Sequence, residues 1–204
     1  MRLDSAATVD ALTDDRVVLC TSDGRIAGSA SRASVHHAET PLHLAFSCYV
    51  FARDGRFLVT RRAVGKLTWP GVVTNSCCGH PRPTEQLDLA VERRLVDELG
   101  VRHSRLRLVL PAFSYRAAMP DGVVENELCP VYMAEVGSPR LDVNRDEVED
   151  AWWMRWDAFV SLARAGDVSP WCAAQVRLLE TLGPSPDAWP SASIHHLPQA
   201  ARGA

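Results

Sequence analysis

Gly79-His80-Pro81-Arg82-Pro83-Thr84-Glu85-Gln86-Leu87-Asp88-Leu89-Ala90-Val91-Glu92-Arg93-Arg94-Leu95-Val96-Asp97-Glu98-Leu99-Gly100-Val101 changes character partway along. Its start carries two prolines and reads as loop. From Glu85 to Leu99, Leu87, Val91, Leu95 and Leu99 recur every fourth position, a stripe that a helix gathers on one side. Thr84 suits the N-cap and Gly100 the C-terminal stop. Arg94 and Glu98 stand four apart and therefore share a face of that helix. Taken alone, such a pair is most simply an exposed ion pair of little energetic weight.

Strand patterns flank the helix on both sides. Val17–Cys20 and Arg25–Ala30, joined by Ser22-Asp23-Gly24, read as one hairpin. His43–Ala52 and Arg56–Arg61 form a second around Asp54-Gly55. From Trp69-Pro70-Gly71 to Cys78-Gly79-His80-Pro81 the chain reads as loop. Leu106–Leu110 and Val123–Ala134 read as strands, and Glu147–Trp156 as a short strand leading to a helix over 157–165. Ser169-Pro170 opens a last helix, Trp171–Leu182. Residues 1–14 read as a flexible leader, 15–183 as one domain, and 184–204, rich in Pro, Ser and Ala, as a mobile tail. Strands mixed with a few helices give an α/β layered fold.

Bulk properties narrow the function. The 204 residues are 47% apolar and 23% charged, ordinary for a globular protein, and large enough for one core. A net charge of -3 gives no support for a nucleic-acid partner, and no apolar run reaches the roughly 20 residues that span a bilayer. No secretory signal opens the chain, so a cytoplasmic enzyme without a membrane partner is expected. The six cysteines include no Cys-x-x-Cys pair, which argues against a thiolate zinc site or a disulfide framework. Cys20, Cys48, Cys129 and Cys172 read as small buried apolar residues.

Three histidines, His36, His43 and His80, and two carboxylates, Glu125 and Glu127, are candidate metal ligands. The glutamates lie two apart in a strand, so both project from one face. Three imidazoles with two carboxylates suit manganese, iron, zinc or magnesium. His37, His103, His195 and His196 read as surface or tail residues.

Gly79, Glu85, Arg93 and Asp97-Glu98-Leu99-Gly100-Val101 are spaced as in the Nudix signature, which the segment resembles. In that family a loop–helix–loop holds acidic residues that bind magnesium beside a diphosphate. Here Arg94 stands where a Nudix hydrolase has a glutamate. An arginine cannot ligate magnesium or activate water, but it can clamp a phosphate. Diphosphate binding with compromised hydrolysis follows.

The resemblance becomes narrower with Leu42-His43-Leu44-Ala45-Phe46-Ser47, Val59-Thr60-Arg61-Arg62-Ala63, Trp69-Pro70-Gly71-Val72, Thr74-Asn75-Ser76-Cys77-Cys78-Gly79-His80-Pro81 and Glu125-Asn126-Glu127-Leu128-Cys129-Pro130-Val131. Together they closely resemble the type I isopentenyl-diphosphate isomerases, over about residues 16 to 182. The resemblance implies a Nudix-like mixed β-sheet sandwiched by helices, with an N-terminal β-hairpin extension. It implies interconversion of isopentenyl and dimethylallyl diphosphate for isoprenoid synthesis, on a small-molecule substrate, by a monomer or alternatively a dimer. Cys78 and Glu127 would be catalytic, with Tyr115 and Trp171 beside them. His36, His43, His80, Glu125 and Glu127 would hold a divalent cation, Mn2+, Zn2+ or Mg2+. Glu98 and the Cys78 backbone carbonyl would hold Mg2+ at the diphosphate, which Arg32, Arg62, Lys66 and Arg94 would grip.

The reaction explains such residues. An alkene is a feeble base, so a placed acid must protonate it to a tertiary carbocation, and a second group must remove a proton from a neighbouring carbon. Glu127, polarised by the metal with Tyr115, is expected to supply the first proton and Cys78 as thiolate to take the second; the reverse assignment is chemically possible. Trp171 over the cation would contribute roughly 2 kcal/mol or more, or would serve simply as core. A Nudix hydrolase and a non-catalytic metal- or isoprenoid-binding module are the rival readings. The hydrolase would share residues 79–101 but gives no reason for Cys78, His36, His43 or the Glu125–Glu127 pair.

Overall fold

The computed structural model describes residues 16–202; the expected leader, 1–14, lies outside them. Two mixed sheets carry the fold. The first holds β1 (Arg16–Cys20), β2 (Ile26–Ser31), β3 (His43–Leu44), β9 (Ser114–Ala118) and β10 (Val124–Leu128), in the order β2-β1-β3-β10-β9. The second holds β4 (Phe46–Ala52), β5 (Phe57–Arg62), β8 (His103–Leu110), β11 (Val131–Val136) and β12 (Val148–Met154), in the order β12-β5-β4-β11-β8. Short strands β6 (Val73–Thr74) and β7 (Cys77–Gly79) pair with β5 and β4. Helices α1 (Leu87–Leu99), α2 (Trp156–Ala165) and α3 (Pro170–Leu182) are the α-helices among the described residues, and three short 3-10 turns follow between 186 and 201. The expected fold class holds, and the N-terminal hairpin is present, with Arg16 opposite Ser31.

Two stretches that read as single strands each divide between the sheets. His43–Ala52 breaks at Ala45, whose N–H donates to the Leu128 carbonyl at 2.9 Å. Val123–Ala134 breaks at Cys129-Pro130, where proline has no N–H to continue a ladder. The halves stay together: His43 lies beside Glu127 in the first sheet, and Ser47 beside Val131 in the second, both pairings parallel. This seam sets three ligand candidates just before the crossing and, through the pairing of Ser47 with Cys78 on β7, the thiol just after it.

Helix α1 lays Leu87, Ala90, Val91, Leu95 and Leu99 into a core shared with Val18, Phe46, Val50 and Leu58. Each large side chain so buried contributes about 1.5–3 kcal/mol. The helix begins at Leu87, with Gln86 as its cap, because Thr84 adopts a left-handed backbone (φ 71°). Gly100 ends it at φ 65°, and a Cβ there would stand 2.5 Å from that of Asp142. A second core contains Tyr49, Phe57, Phe159, Trp171 and Trp189.

Residues 184–202, expected as a mobile tail, lie against the domain. Trp189 is 2% exposed, and Arg107 holds the segment by donating to the Trp189 and Pro186 carbonyls at 2.6 and 2.9 Å. Leu197, Ala200 and Ala201 enter the first core, and the Ala200 N–H donates to Gly24 of the hairpin turn. Composition does not show this, because only Trp189, Leu197, Ala200 and Ala201 of the segment are buried while Ile194 stays exposed.

Candidate active site

The seam between the sheets opens into a cavity of about 620 Å³. Cys78, His80, Tyr115, Glu125, Glu127 and Trp171 line it together with Arg32, Arg62, Lys66, Arg94 and His36. His43, fully buried, backs the wall from β3.

His36, His43, His80 and Glu127 each offer a donor atom, and the four atoms lie within 4.8 Å of one another. Donors about 2.1 Å from one cation stand about 3–4 Å apart, so this set could hold a divalent metal. Two orphaned atoms support the fit: His36 Nε2 and His43 Nε2 are buried without a hydrogen-bond partner. The His43 Nδ1 lies 3.0 Å from the Pro41 carbonyl, so it carries the proton and leaves Nε2 a bare lone pair aimed at the cluster. Glu127 Oε1 lies 3.1 Å from His80 Nε2 and 3.6 Å from His43 Nε2. Glu125, the fifth expected ligand, falls outside this group of four. Tyr115 joins it to the cluster, its hydroxyl donating to Glu125 Oε2 at 2.8 Å and Glu127 Oε2 at 2.9 Å.

Charge divides unevenly here. Burial pushes the His36 imidazole down to about 4, helped by the neighbouring His80 and His43. Burial and the adjacent Glu127 charge raise Glu125. Burial opposes ionisation of Glu127 too, but the His43 and His80 imidazoles beside it outweigh burial and hold this carboxyl well below the usual range. The Cys78 thiol is pushed up to about 11 by burial, against the pull of Ser47, Asn75 and Arg62. These directions favour the protonated form of Cys78 and the ionised form of Glu127.

Glu98 stands apart from the histidines. It is 6% exposed and lines a second cavity of about 30 Å³ with Lys66, Cys77, Cys78 and Glu147. Arg94 Nε donates to Glu98 at 2.8 Å and Arg94 Nη2 lies 3.2 Å from Glu147, which also pairs with Lys66. The Arg94–Glu98 pair is thus largely buried, unlike the exposed pair that spacing alone suggests. Glu147 went unread as a functional residue: it precedes β12, and only the pairing of Val148 with Arg62 brings it to the cations. The remaining motif residues act as braces. Arg93 makes two 2.7 Å hydrogen bonds to Glu85 and donates to the His80 carbonyl at 3.3 Å, which fixes the loop that carries His80. Gly79 is required for approach, since a Cβ would meet Arg94 at 2.9 Å.

Trp171 is 2% exposed, its ring 5.6 Å from that of Tyr115, with Arg62 Cζ 5.8 Å from its centre. It therefore packs in the core and faces the cavity at once.

A two-sheet α/β fold with a loop–helix–loop beside a charged cavity is that of the Nudix proteins, and the NUDIX domain matches residues 41–175. Solved structures agree at the level of fold: DR0079 from Deinococcus radiodurans (TM-score 0.63, 17% identity, 80% of this chain and 98% of that one) and a MutT NUDIX hydrolase from Burkholderia pseudomallei (TM-score 0.50, 22% identity, 67% and 96%). Within that class, the chain belongs to the isopentenyl-diphosphate Delta-isomerase family. It is 50% identical to the Rhizobium rhizogenes isopentenyl-diphosphate Delta-isomerase over 92% of this chain and 91% of that one. With the Mycolicibacterium vanbaalenii isopentenyl-diphosphate Delta-isomerase the identity is 56%, over 84% and 94%.

Proposed function

We propose that this chain interconverts isopentenyl and dimethylallyl diphosphate, adding a proton to one alkene carbon and removing one from another. One observation carries the reading: the Cys78 thiol, the Glu127 carboxyl with Tyr115, and Trp171 line one cavity with the basic Arg32, Arg62, Lys66 and Arg94. Arg32, Arg62, Lys66 and Arg94 would grip the diphosphate without attacking it, and that inert end would fix the alkene between acid and base.

In the protonation state described, Cys78 gives the first proton and Glu127 takes the second, with Tyr115 steadying the carboxylate; for the return reaction the roles exchange. This order is the reverse of the acid Glu127 first expected. Trp171 shields the intermediate cation, which water would otherwise trap as an alcohol. His36, His43, His80 and Glu127, with Glu125 beside them, would hold Mn2+, Zn2+ or Mg2+, while Glu98 and the Cys78 carbonyl would hold Mg2+. Such cations supply positive charge that orients the carboxyls and neutralises phosphate oxygens.

The hydrolase reading fits less well, because Arg94 occupies the place of a glutamate and pairs with Glu98 and Glu147. We take the enzyme to act as a monomer on a small-molecule prenyl diphosphate, without a nucleic-acid or membrane partner. No helix among the described residues is long and apolar enough to cross a membrane. A cytoplasmic location is part of the proposal and follows the sequence reading alone. Incubation with isopentenyl diphosphate and Mg2+ tests the reading: dimethylallyl diphosphate should form without phosphate release. Release of phosphate with no rearranged product would refute it.

A further inference from the structure

Asn75, between β6 and β7, is wholly buried and does not line the main cavity. Its amide nitrogen donates to the Cys48 carbonyl at 3.2 Å and the Cys77 carbonyl at 2.9 Å. Those acceptors fix the amide's orientation, since a flipped group would set its oxygen against two carbonyls. The oxygen is thereby turned toward the site. There it accepts from the Trp171 indole N–H at 3.2 Å and from the Cys78 thiol at 3.3 Å.

Thr74 Oγ1, itself 2.8 Å from Ser169 Oγ, also donates to this oxygen at 3.0 Å. The oxygen thus gathers the sulfur, the ring and the Thr74 hydroxyl at one acceptor. The acceptor is firmly held, because Thr60 Oγ1 donates to the Asn75 backbone carbonyl at 2.7 Å. An indole N–H can only donate, and buried without a partner it carries the full cost of desolvation. The ring edge is thus committed to Asn75.

We propose that Asn75 is a positioning residue for the isomerisation: its single oxygen fixes the Cys78 sulfur and the Trp171 ring relative to one another, so that proton transfer and shielding act on the same carbocation. This rests on the isomerase reading of the cavity and adds to it a residue that acts only through the two it holds. Displacement of a reacting group by about 1 Å can cost about 10²-fold in rate.

The test is Asn75→Ala, measured by steady-state kinetics together with iodoacetamide labelling of all six cysteines at one pH. The inference expects kcat to fall about 10²-fold, KM to change less than about threefold, and labelling to accelerate at Cys78 alone, beside the space vacated. The water-trapped tertiary alcohol diphosphate should appear as a side product. A kcat within threefold of wild type would overturn the inference. So would joint labelling of all six thiols, because Asn75 would then merely hold the fold. A wild-type chain that fails to isomerise would bring down the underlying reading and this inference with it, whereas an active wild type with an indifferent Asn75→Ala strikes this inference alone.

Discussion

Arg94 and Glu98, one turn apart on α1, form a largely buried ion pair, and Arg94 reaches on to Glu147 at 3.2 Å. Two cations, Arg94 and Lys66, thus face two carboxylates, Glu98 and Glu147, in a closed network. In the proposed cycle the cations must release those carboxylates to meet a diphosphate.

Arg94→Ala should therefore harm both stability and binding. Leaving Glu98 buried with its charge partner removed costs about 3 kcal/mol, readable as a lower urea midpoint. KM for isopentenyl diphosphate should rise about tenfold or more, the share of binding expected of one charge-assisted contact. An unchanged KM would remove Arg94 from the substrate site.

The two adjacent cysteines should behave differently. Cys78→Ser should lower kcat more than about 10³-fold, because a serine hydroxyl is a far weaker acid than a thiol at this position. Cys77, 2% exposed with its side chain in the α1 core, should tolerate serine in activity while losing about 1–3 kcal/mol of stability. The reverse pattern would mean that the wrong sulfur has been placed at the alkene.

Acid should weaken the metal-free fold through His36. Its imidazole is held down at about 4, against an ordinary value of 6.5, chiefly by burial. Above 6.5 both folded and unfolded states are neutral and the residue contributes nothing. Between 6.5 and about 4 only the unfolded state takes the proton, so stability falls with pH and then levels off. Glu147, drawn down to about 2 by Arg94 and Lys66 despite its burial, has the usual carboxylate sign. Its stabilisation is complete above 4.5 and lost as pH falls toward 2. Thermal melting of the metal-free protein across pH checks both, and His36→Asn should flatten the upper limb.

Metal should bind before substrate does. A divalent cation held by His36, His43, His80 and Glu127 should raise the melting temperature of the free enzyme as its concentration rises, and a chelator should abolish activity. His80→Ala should remove the thermal shift. A shift that survives this change would locate the cation elsewhere.

Helix α1 was readable because four leucine and valine side chains recur at its own period, and the hairpin at Asp23-Gly24 because its turn chemistry is local. The site residues were readable as types: imidazoles, paired glutamates, a thiol before Gly-His-Pro. What sequence did not disclose was the seam. Ala45 and Cys129-Pro130 break two strands, and only their mutual pairing shows that both breaks pass between sheets at one place. Strand β9, with Tyr115 on it, was missed for a related reason: its alternation of exposed and half-buried residues is weak, and its pairing with β10 makes it a strand. Glu147 carried no signal beyond its chemistry, and Asn75 only its place in the motif that leads to Cys78. One acquires its partners through β12 and the other through α3, distant segments that meet them only in the folded chain.

Isotope incorporation tests the pairing of Cys78 with Glu127 most directly. Isopentenyl diphosphate turned over in deuterated water, with Mg2+ and Mn2+ present, should yield dimethylallyl diphosphate carrying deuterium in the newly formed methyl group, and Cys78→Ser and Glu127→Gln should each suppress it. Dimethylallyl diphosphate formed at full rate without deuterium would contradict proton delivery from side chains that exchange with solvent.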